Sequence, residues 1–133
     1  DPSPLQRGSS QVTCPFCSLA GTPLVHESEL VVAFRDRFPV SNAHSLVIPR
    51  RRAPTYFDLS AVEQAEIWST IEALKRDVDR ELRPDGYNVG FYAGEAAGQT
   101  VMDAHVHVIP RFEGDVPDPR GGVRGVIPGK EKY

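Results

Sequence analysis

Polar and apolar residues alternate along residues 103–109 of this chain. A period of two is typical of a half-buried β-strand, whose successive side chains point to opposite faces. We therefore expect Asp103, His105 and His107 to share one face, with neighbours about 6–7 Å apart. Pro110 lacks a backbone donor and is expected to end the strand. Because imidazole is both the usual acid–base group and the commonest metal ligand, a catalytic site and a metal site are both favoured over simple packing.

Several segments outside this strand fit one known family. They are a Cys-x-x-Cys pair, residues 41–49, one long helix, and a loop over residues 94–100 that leads into the histidine strand. Together with that strand they resemble the histidine triad family of nucleotide hydrolases and transferases. In the family, three histidines alternate with apolar residues. Here Asp103 stands at the first position, and His105 and His107 stand at the second and third.

The remaining pattern predicts an α+β fold. Residues 61–82 have apolar side chains at helical spacing, preceded by the capping-box pair Ser60 and Glu63. Strands are predicted twice within residues 23–35, once over 45–49 and once over 87–91. The fold class is therefore an antiparallel sheet of about five strands with one long helix. The resemblance implies the same fold and a homodimer.

Length and composition limit the alternatives. The chain has 133 residues, enough for one domain, and its net charge of −3 argues against general nucleic-acid binding. No apolar run could span a membrane and the start lacks a secretory segment, so we expect a cytoplasmic protein. Residues 1–12 are polar and are expected to be flexible. Residues 13–133 are predicted to form the domain, with a Gly- and Arg-rich C-terminal tail over 112–133.

The two cysteines, Cys14 and Cys17, have a spacing that suits half of a zinc site or a redox pair. In some members of the family two histidines complete a zinc site, and the matching positions here hold Arg52 and Asp103. We predict that these opposite charges form an ion pair; the alternative is that Arg52 belongs to a solvated surface run. The expected chemistry requires no cofactor, and zinc at Cys14 and Cys17 stays an open alternative.

The resemblance also assigns a nucleoside pocket. The segment 34–38 would line it, with Asp36 reaching the ribose hydroxyls and an aromatic ring near the base. Phe34 could equally be a core residue. Tyr92 stands where relatives usually have asparagine, and His44 is interpreted as structural. The predicted nucleotide-binding residues are Phe16, Phe34, Asp36, Arg37, Phe38, Tyr92, Gly98, Gln99, Thr100, His105 and His107.

The family's reaction implies a covalent mechanism. His105 would attack the α-phosphorus of a nucleotidyl substrate, and water would then release a nucleoside monophosphate from the nucleotidyl-histidine. Gln99, Thr100 and His107 would donate hydrogen bonds to phosphoryl oxygens, and Asp103 would be a support residue. A phosphoramidate or a dinucleoside polyphosphate would be the substrate. Two alternatives stay open: a catalytically weakened nucleotide-binding module, and a metal site formed by the three residues of the strand face.

Overall fold

The computed structural model describes residue 19 and residues 21–133. The strands are β1 His26–Glu27, β2 Val31–Arg35, β3 Ser45–Pro49, β4 Gly86–Gly90 and β5 Val106–Arg111, and the long helix is α1 Ala61–Leu82. Every strand pairing is antiparallel, in the order β1-β2-β3-β5-β4. The predicted fold class is confirmed. The predictions for the segment 1–12 and for Cys14, Phe16 and Cys17 lie outside the described residues.

Helix α1 begins and ends where the sequence signals place its termini. The hydroxyl of Ser60 accepts from the backbone N–H of Glu63, and the Glu63 carboxylate accepts in return from the backbone N–H of Ser60. The helix ends at Arg83, which adopts a left-handed conformation with φ 50° directly before Pro84. Its buried apolar stripe packs against one face of the sheet: Ile67, Ile71, Leu74 and Val78.

The sheet buries side chains on both of its faces. The face toward α1 is filled from the neighbouring strands by Val31, Ala33, Val47, Val106 and Val108. The opposite face has a smaller apolar cluster that includes Phe34, Leu46 and Ile48. Cross-strand partners share a face, so the pairing of Leu46 with both Phe34 and His107 places His107 on the side away from the helix.

The histidine strand differs from its prediction at both ends. It begins at Val106 rather than at Asp103, because the backbone N–H of Ala104 donates to the loop carbonyl of Ala53 instead of a strand. It also continues through Pro110, where it pairs with β4 alone. The missing proline donor therefore does not interrupt the pairing with β3, which ends opposite Val108.

Two arginines of the C-terminal tail donate hydrogen bonds to other residues of the tail. The Arg120 guanidinium donates to the Asp118 carboxylate at 3.1 Å, and the Arg124 Nε donates to the Lys130 carbonyl at 2.8 Å. The tail contains a short 3₁₀ helix over Val123–Val126. Within the residues described, no helix has the length and apolar character needed to cross a membrane.

Candidate active site

The two strand histidines form the centre of the site. His105 lies directly before β5 and His107 within it, and both are half-buried on the face away from α1. Their rings meet edge to face, with 5.2 Å between the ring centroids. Alternation of buried and half-buried residues holds from His105 to Arg111, so the predicted face is confirmed for the two histidines. Asp103 precedes the strand and lies in a loop.

The ring of His105 is oriented by the backbone. Its Nδ1 lies 2.7 Å from the carbonyl oxygen of Asp103. A carbonyl oxygen can only accept, so the proton of the neutral ring is on Nδ1. In that tautomer Nε2 is the ring nitrogen of His105 that has no proton. An unprotonated imidazole nitrogen in a half-buried position is a suitable nucleophile.

The ring of His107 is oriented by a second imidazole. The backbone N–H of Val40 donates to His44 Nδ1 at 3.1 Å, so the proton of neutral His44 is on Nε2. That Nε2 lies 3.0 Å from His107 Nδ1 and donates to it. The proton of His107 is therefore on its own Nε2, where it can donate to a substrate oxygen. His44, interpreted from sequence as structural, belongs to the site as a positioning residue.

Burial lowers the pKa of both His107 and His44. Desolvation, followed by the proximity of His105 and His44, lowers the pKa of His107 to about 4, and the Asp36 carboxylate opposes this shift only in part. Burial also lowers the pKa of His44, again against Asp36, whose carboxylate lies 3.4 Å from His44 Nε2. At neutral pH His107 therefore acts as a hydrogen-bond donor and not as a cation.

The predicted ion pair between Arg52 and Asp103 is present. Arg52 Nε lies 3.5 Å from Asp103 Oδ1, and the carboxylate is buried while the arginine is about one-third exposed. A buried carboxylate requires such a partner. The carboxylate of Asp103 is directed to Arg52, whereas its backbone carbonyl holds His105.

The loop before the histidines depends on the amide of Gln99. This side chain is buried, donates to the carbonyls of Pro54 at 2.7 Å and Val101 at 2.9 Å, and accepts from Gly94 N–H. Both amide hydrogens are thus used within the protein. The structure gives the Gln99 side chain a structural role, in contrast to the predicted donation to a phosphoryl oxygen.

The neighbours of Gln99 face solvent. Gly98 adopts φ 100°, a conformation that disfavours any residue with a side chain, and Thr100 is exposed. In the part of the chain that the structure describes, the backbone N–H groups of Thr100 and Val101 have no protein acceptor. These two donors remain available in the loop that precedes His105.

The predicted nucleoside-binding residues occupy different environments. Phe34 is buried in the smaller apolar cluster, which confirms the alternative that it is a core residue. Asp36 is half-buried beside His44, and its second carboxylate oxygen accepts from Phe38 N–H at 2.8 Å. Phe38 is 82% exposed and Arg37 is also exposed. Neither side chain has a contact with His105 or His107 among those given for the described residues.

Tyr92 lies at the mouth of the site. Its ring centroid is 6.1 Å from that of His107, and the side chain is 46% exposed. The residue follows the end of β4, which pairs with the histidine strand. The predicted placement of Tyr92 near the reacting groups fits this geometry.

Metal ligation is the remaining chemical alternative. Among the described residues, the one His/Cys/Asp/Glu group with ligand atoms within 4.8 Å of one another is Asp36, His44 and His107. The metal set predicted from the strand face, Asp103, His105 and His107, is therefore not assembled. The observed group is also a poor site for a metal, because Val40 N–H holds the proton of His44 on the nitrogen that would have to coordinate.

Comparison with known proteins identifies a single family. Residues 20–114 match the model of the HIT domain. An uncharacterized HIT-like protein of Methanocaldococcus jannaschii is 35% identical over 108 residues, which are 77% of this chain and 81% of that protein. A protein of Streptococcus mutans has a similar crystal structure, with a TM-score of 0.74 and 35% identity over 86% of this chain and 76% of that one.

Two of the similar proteins have enzyme names. The asymmetrical bis(5'-nucleosyl)-tetraphosphatase of Schizosaccharomyces pombe is 32% identical over 71% of this chain. The AP-4-A phosphorylase of Mycobacterium tuberculosis is 36% identical over 69% of this chain. The aligned residues span only about half of each enzyme, 52% and 48% respectively.

Proposed function

This chain belongs to the HIT family, and on that premise we propose that it cleaves a nucleotidyl substrate at the α-phosphate through a covalent intermediate on His105. The observation that supports the proposal is the pair of contacts that orient two adjacent rings. The Nδ1 of His105 faces the Asp103 carbonyl and the Nδ1 of His107 faces the Nε2 of His44, so we assign the Nε2 of His105 as the nucleophile and the Nε2 of His107 as a donor. One ring can attack phosphorus while the other stabilises an oxygen of the same phosphoryl group.

The first step uses the lone pair of His105. Its Nε2 forms a bond to the α-phosphorus, and the bond from phosphorus to the leaving group breaks with its electron pair. The ring then has a positive charge with a proton on Nδ1. The carbonyl of Asp103, 2.7 Å from that nitrogen, is placed to stabilise the charge. A water molecule next attacks phosphorus and loses a proton to solvent, the bond to His105 breaks with its electron pair returning to Nε2, and the nucleoside monophosphate leaves.

Neutral donors would stabilise the phosphoryl oxygens. His107 Nε2–H donates without adding a full charge, because the pKa of His107 is about 4. The backbone N–H groups of Thr100 and Val101 supply further preorganised donors in the loop beside the nucleophile. Asp36, on the other side of His44, is assigned to the ribose hydroxyls.

A dinucleoside polyphosphate is the substrate that we favour. Both similar enzymes named above act on compounds of this class by their names. A phosphoramidate remains the second substrate class, since it requires the same attack at the α-phosphorus.

The proposal is tested by release of nucleoside monophosphate, measured by liquid chromatography with a chelator present. Dinucleoside polyphosphates and adenosine and guanosine phosphoramidates are offered to the wild type and to His105→Ala. His26→Ala, on the far edge strand β1, is the matched control. Release that persists with the chelator and in His26→Ala but disappears in His105→Ala is expected. Binding of nucleotide without release by the wild type would instead indicate a binding module.

We further propose a homodimer that forms at the β4 edge of the sheet. An aromatic cluster next to this edge joins Phe91 to Tyr56 at a centroid distance of 4.6 Å, and Trp68 donates to the Tyr56 hydroxyl. Phe57 and Trp68 are nevertheless 69% and 44% exposed. An exposed aromatic surface beside a strand that pairs on one side alone among the described residues is suited to a second copy. Light scattering of Trp68→Glu is expected to give monomer where the wild type gives dimer; a monomeric wild type would refute the proposal.

A further inference from the structure

The loop over residues 52–54 is linked at three points to the loop over residues 99–104, which lies directly before the histidine strand. The backbone N–H of Ala104 donates to the Ala53 carbonyl at 2.7 Å, and Gln99 Nε2 donates to the Pro54 carbonyl at 2.7 Å. The third link is the ion pair of Arg52 with Asp103 at 3.5 Å. Residues 52–54 therefore hold the segment 99–104, which contains neither helix nor strand.

Residue 103 connects this linkage to the chemistry. Its carboxylate is buried against Arg52, and its carbonyl oxygen, in the same residue, accepts from His105 Nδ1. A shift or rotation of residue 103 would move both groups together. His105 would then lose the acceptor that keeps its proton on Nδ1, and the proton could transfer to Nε2, the atom required for attack.

We propose that Arg52 is a positioning residue, which holds Asp103 so that its carbonyl keeps the His105 proton on Nδ1. The consequence for catalysis rests on the proposed function, whereas the position of the proton does not. The contact that the structure gives for Arg52 is its ion pair with Asp103, so its effect on the reaction is expected to pass through residue 103.

The energetics favour a fixed arrangement at this point. A buried carboxylate that loses its cationic partner is strongly unfavourable, so residue 103 is expected to move toward water or another donor when Arg52 is replaced. Arg52 itself is one-third exposed and leaves no large cavity when shortened. The position of the Asp103 carbonyl is therefore expected to change most when Arg52 is replaced.

The adjacent arginine provides a matched control. Arg51 forms an ion pair with Glu63 at 2.9 Å, and this carboxylate is buried, although slightly less than that of Asp103. Glu63 belongs to the first turn of α1 and not to the histidine loop. Arg51→Met therefore removes the same kind of ion pair, at a similar expected cost in stability, without disturbing the acceptor of His105.

The experiment compares Arg52→Met, Asp103→Asn, Arg52→Lys and Arg51→Met with the wild type. Long-range ¹H–¹⁵N NMR spectra of ¹⁵N-histidine-labelled protein report which ring nitrogen of His105 is protonated. The wild type and Arg51→Met are expected to show the proton on Nδ1 alone. Arg52→Met and Asp103→Asn are expected to show a mixture of both tautomers, and Arg52→Lys should return most of the signal to Nδ1.

Kinetics supply the second readout. Arg52→Met should lower kcat about 10- to 100-fold with KM changed less than about threefold, because the nucleophile is misplaced while the binding groups remain. A folded Arg52→Met protein with the His105 proton still on Nδ1 alone would overturn the proposal. If the wild type released no monophosphate, the proposed function would fail while the NMR comparison would still decide the role of Arg52. Asp103→Asn keeps the test available if Arg52→Met does not fold.

Discussion

His105 and His107 are two residues apart on one face, yet the protein holds them by different means. His105 is oriented by a carbonyl two residues earlier in the chain, at 2.7 Å. His107 is oriented by His44, an imidazole 63 residues away, at 3.0 Å. The result is a pair of rings whose Nδ1 atoms face different partners, a backbone carbonyl for His105 and an imidazole for His107. Two identical side chains thus take different chemical roles because their Nδ1 atoms have different partners.

The two anchors also differ in what they depend on. The carbonyl of Asp103 requires the loop linkage to Arg52, a contact between charged groups at the protein boundary. The His44 anchor depends on a neutral chain of hydrogen bonds that starts at the Val40 N–H. The orientation of His105 should therefore be lost when its ion pair is removed. The orientation of His107 should be lost when an imidazole of its chain is protonated.

The largest expected effect separates the roles of the two rings. His105→Ala should lower kcat at least about 10³-fold, since it removes the proposed nucleophile. His107→Ala should lower kcat about 10²- to 10³-fold, the usual cost of one preorganised donor, and His107→Gln should recover part of this loss through its amide N–H. Single-turnover kinetics check both values. Equal activity of His107→Ala and His107→Gln would contradict the donor role.

A smaller effect is expected when the anchor of His107 is removed. His44→Ala should lower kcat about tenfold, because His107 can then lose its proton from Nε2 or rotate away from the substrate. His44→Gln retains an N–H donor toward His107 Nδ1 and should be closer to the wild type. Steady-state kinetics at pH 7 provide the measurement. Wild-type kcat in His44→Ala would show that the contact has no functional role.

The third prediction concerns stability and pH. The folded pKa of His107, about 4, lies below the unfolded value of about 6.5, so the unfolded chain takes up this proton first as the pH falls. The stabilising contribution is complete above pH 6.5 and is lost as the pH falls toward 4. Urea unfolding should therefore show a smaller decrease from pH 7 to pH 5 in His107→Gln than in the wild type, by on the order of 1 kcal/mol. Parallel decreases in both proteins would contradict the prediction.

Local patterns in the sequence predicted much of this fold. The capping pair Ser60 and Glu63 and the regular apolar spacing placed α1 over residues 61–82, as observed. Alternation placed both histidines on one face. The resemblance to the family, and not a local pattern, predicted the ion pair of Arg52 with Asp103, because these residues stand at the positions of two zinc-ligating histidines. In each case the signal lay in the residue types at particular positions.

The features that the sequence did not predict depend on tertiary contacts. His44 lies two residues before Leu46, and only the pairing of Leu46 with His107 brings it to the site. The amide of Gln99 donates to the carbonyl of Pro54, a partner that no local pattern indicates. Pro110 continues the strand because β3 ends before it, which is a property of the sheet and not of the proline. Knowledge of the strand register would have helped most in predicting these features.

The most direct test of the account is detection of the covalent intermediate on His105. Wild-type protein is mixed with a dinucleoside polyphosphate, quenched in base within milliseconds to preserve the phosphorus–nitrogen bond, and measured by intact and peptide mass spectrometry. The account predicts a mass increase of one nucleotidyl group on the peptide that contains His105, transient in the wild type and absent in His105→Ala. Monophosphate release with no adduct, or an adduct that persists in His105→Ala, would contradict it.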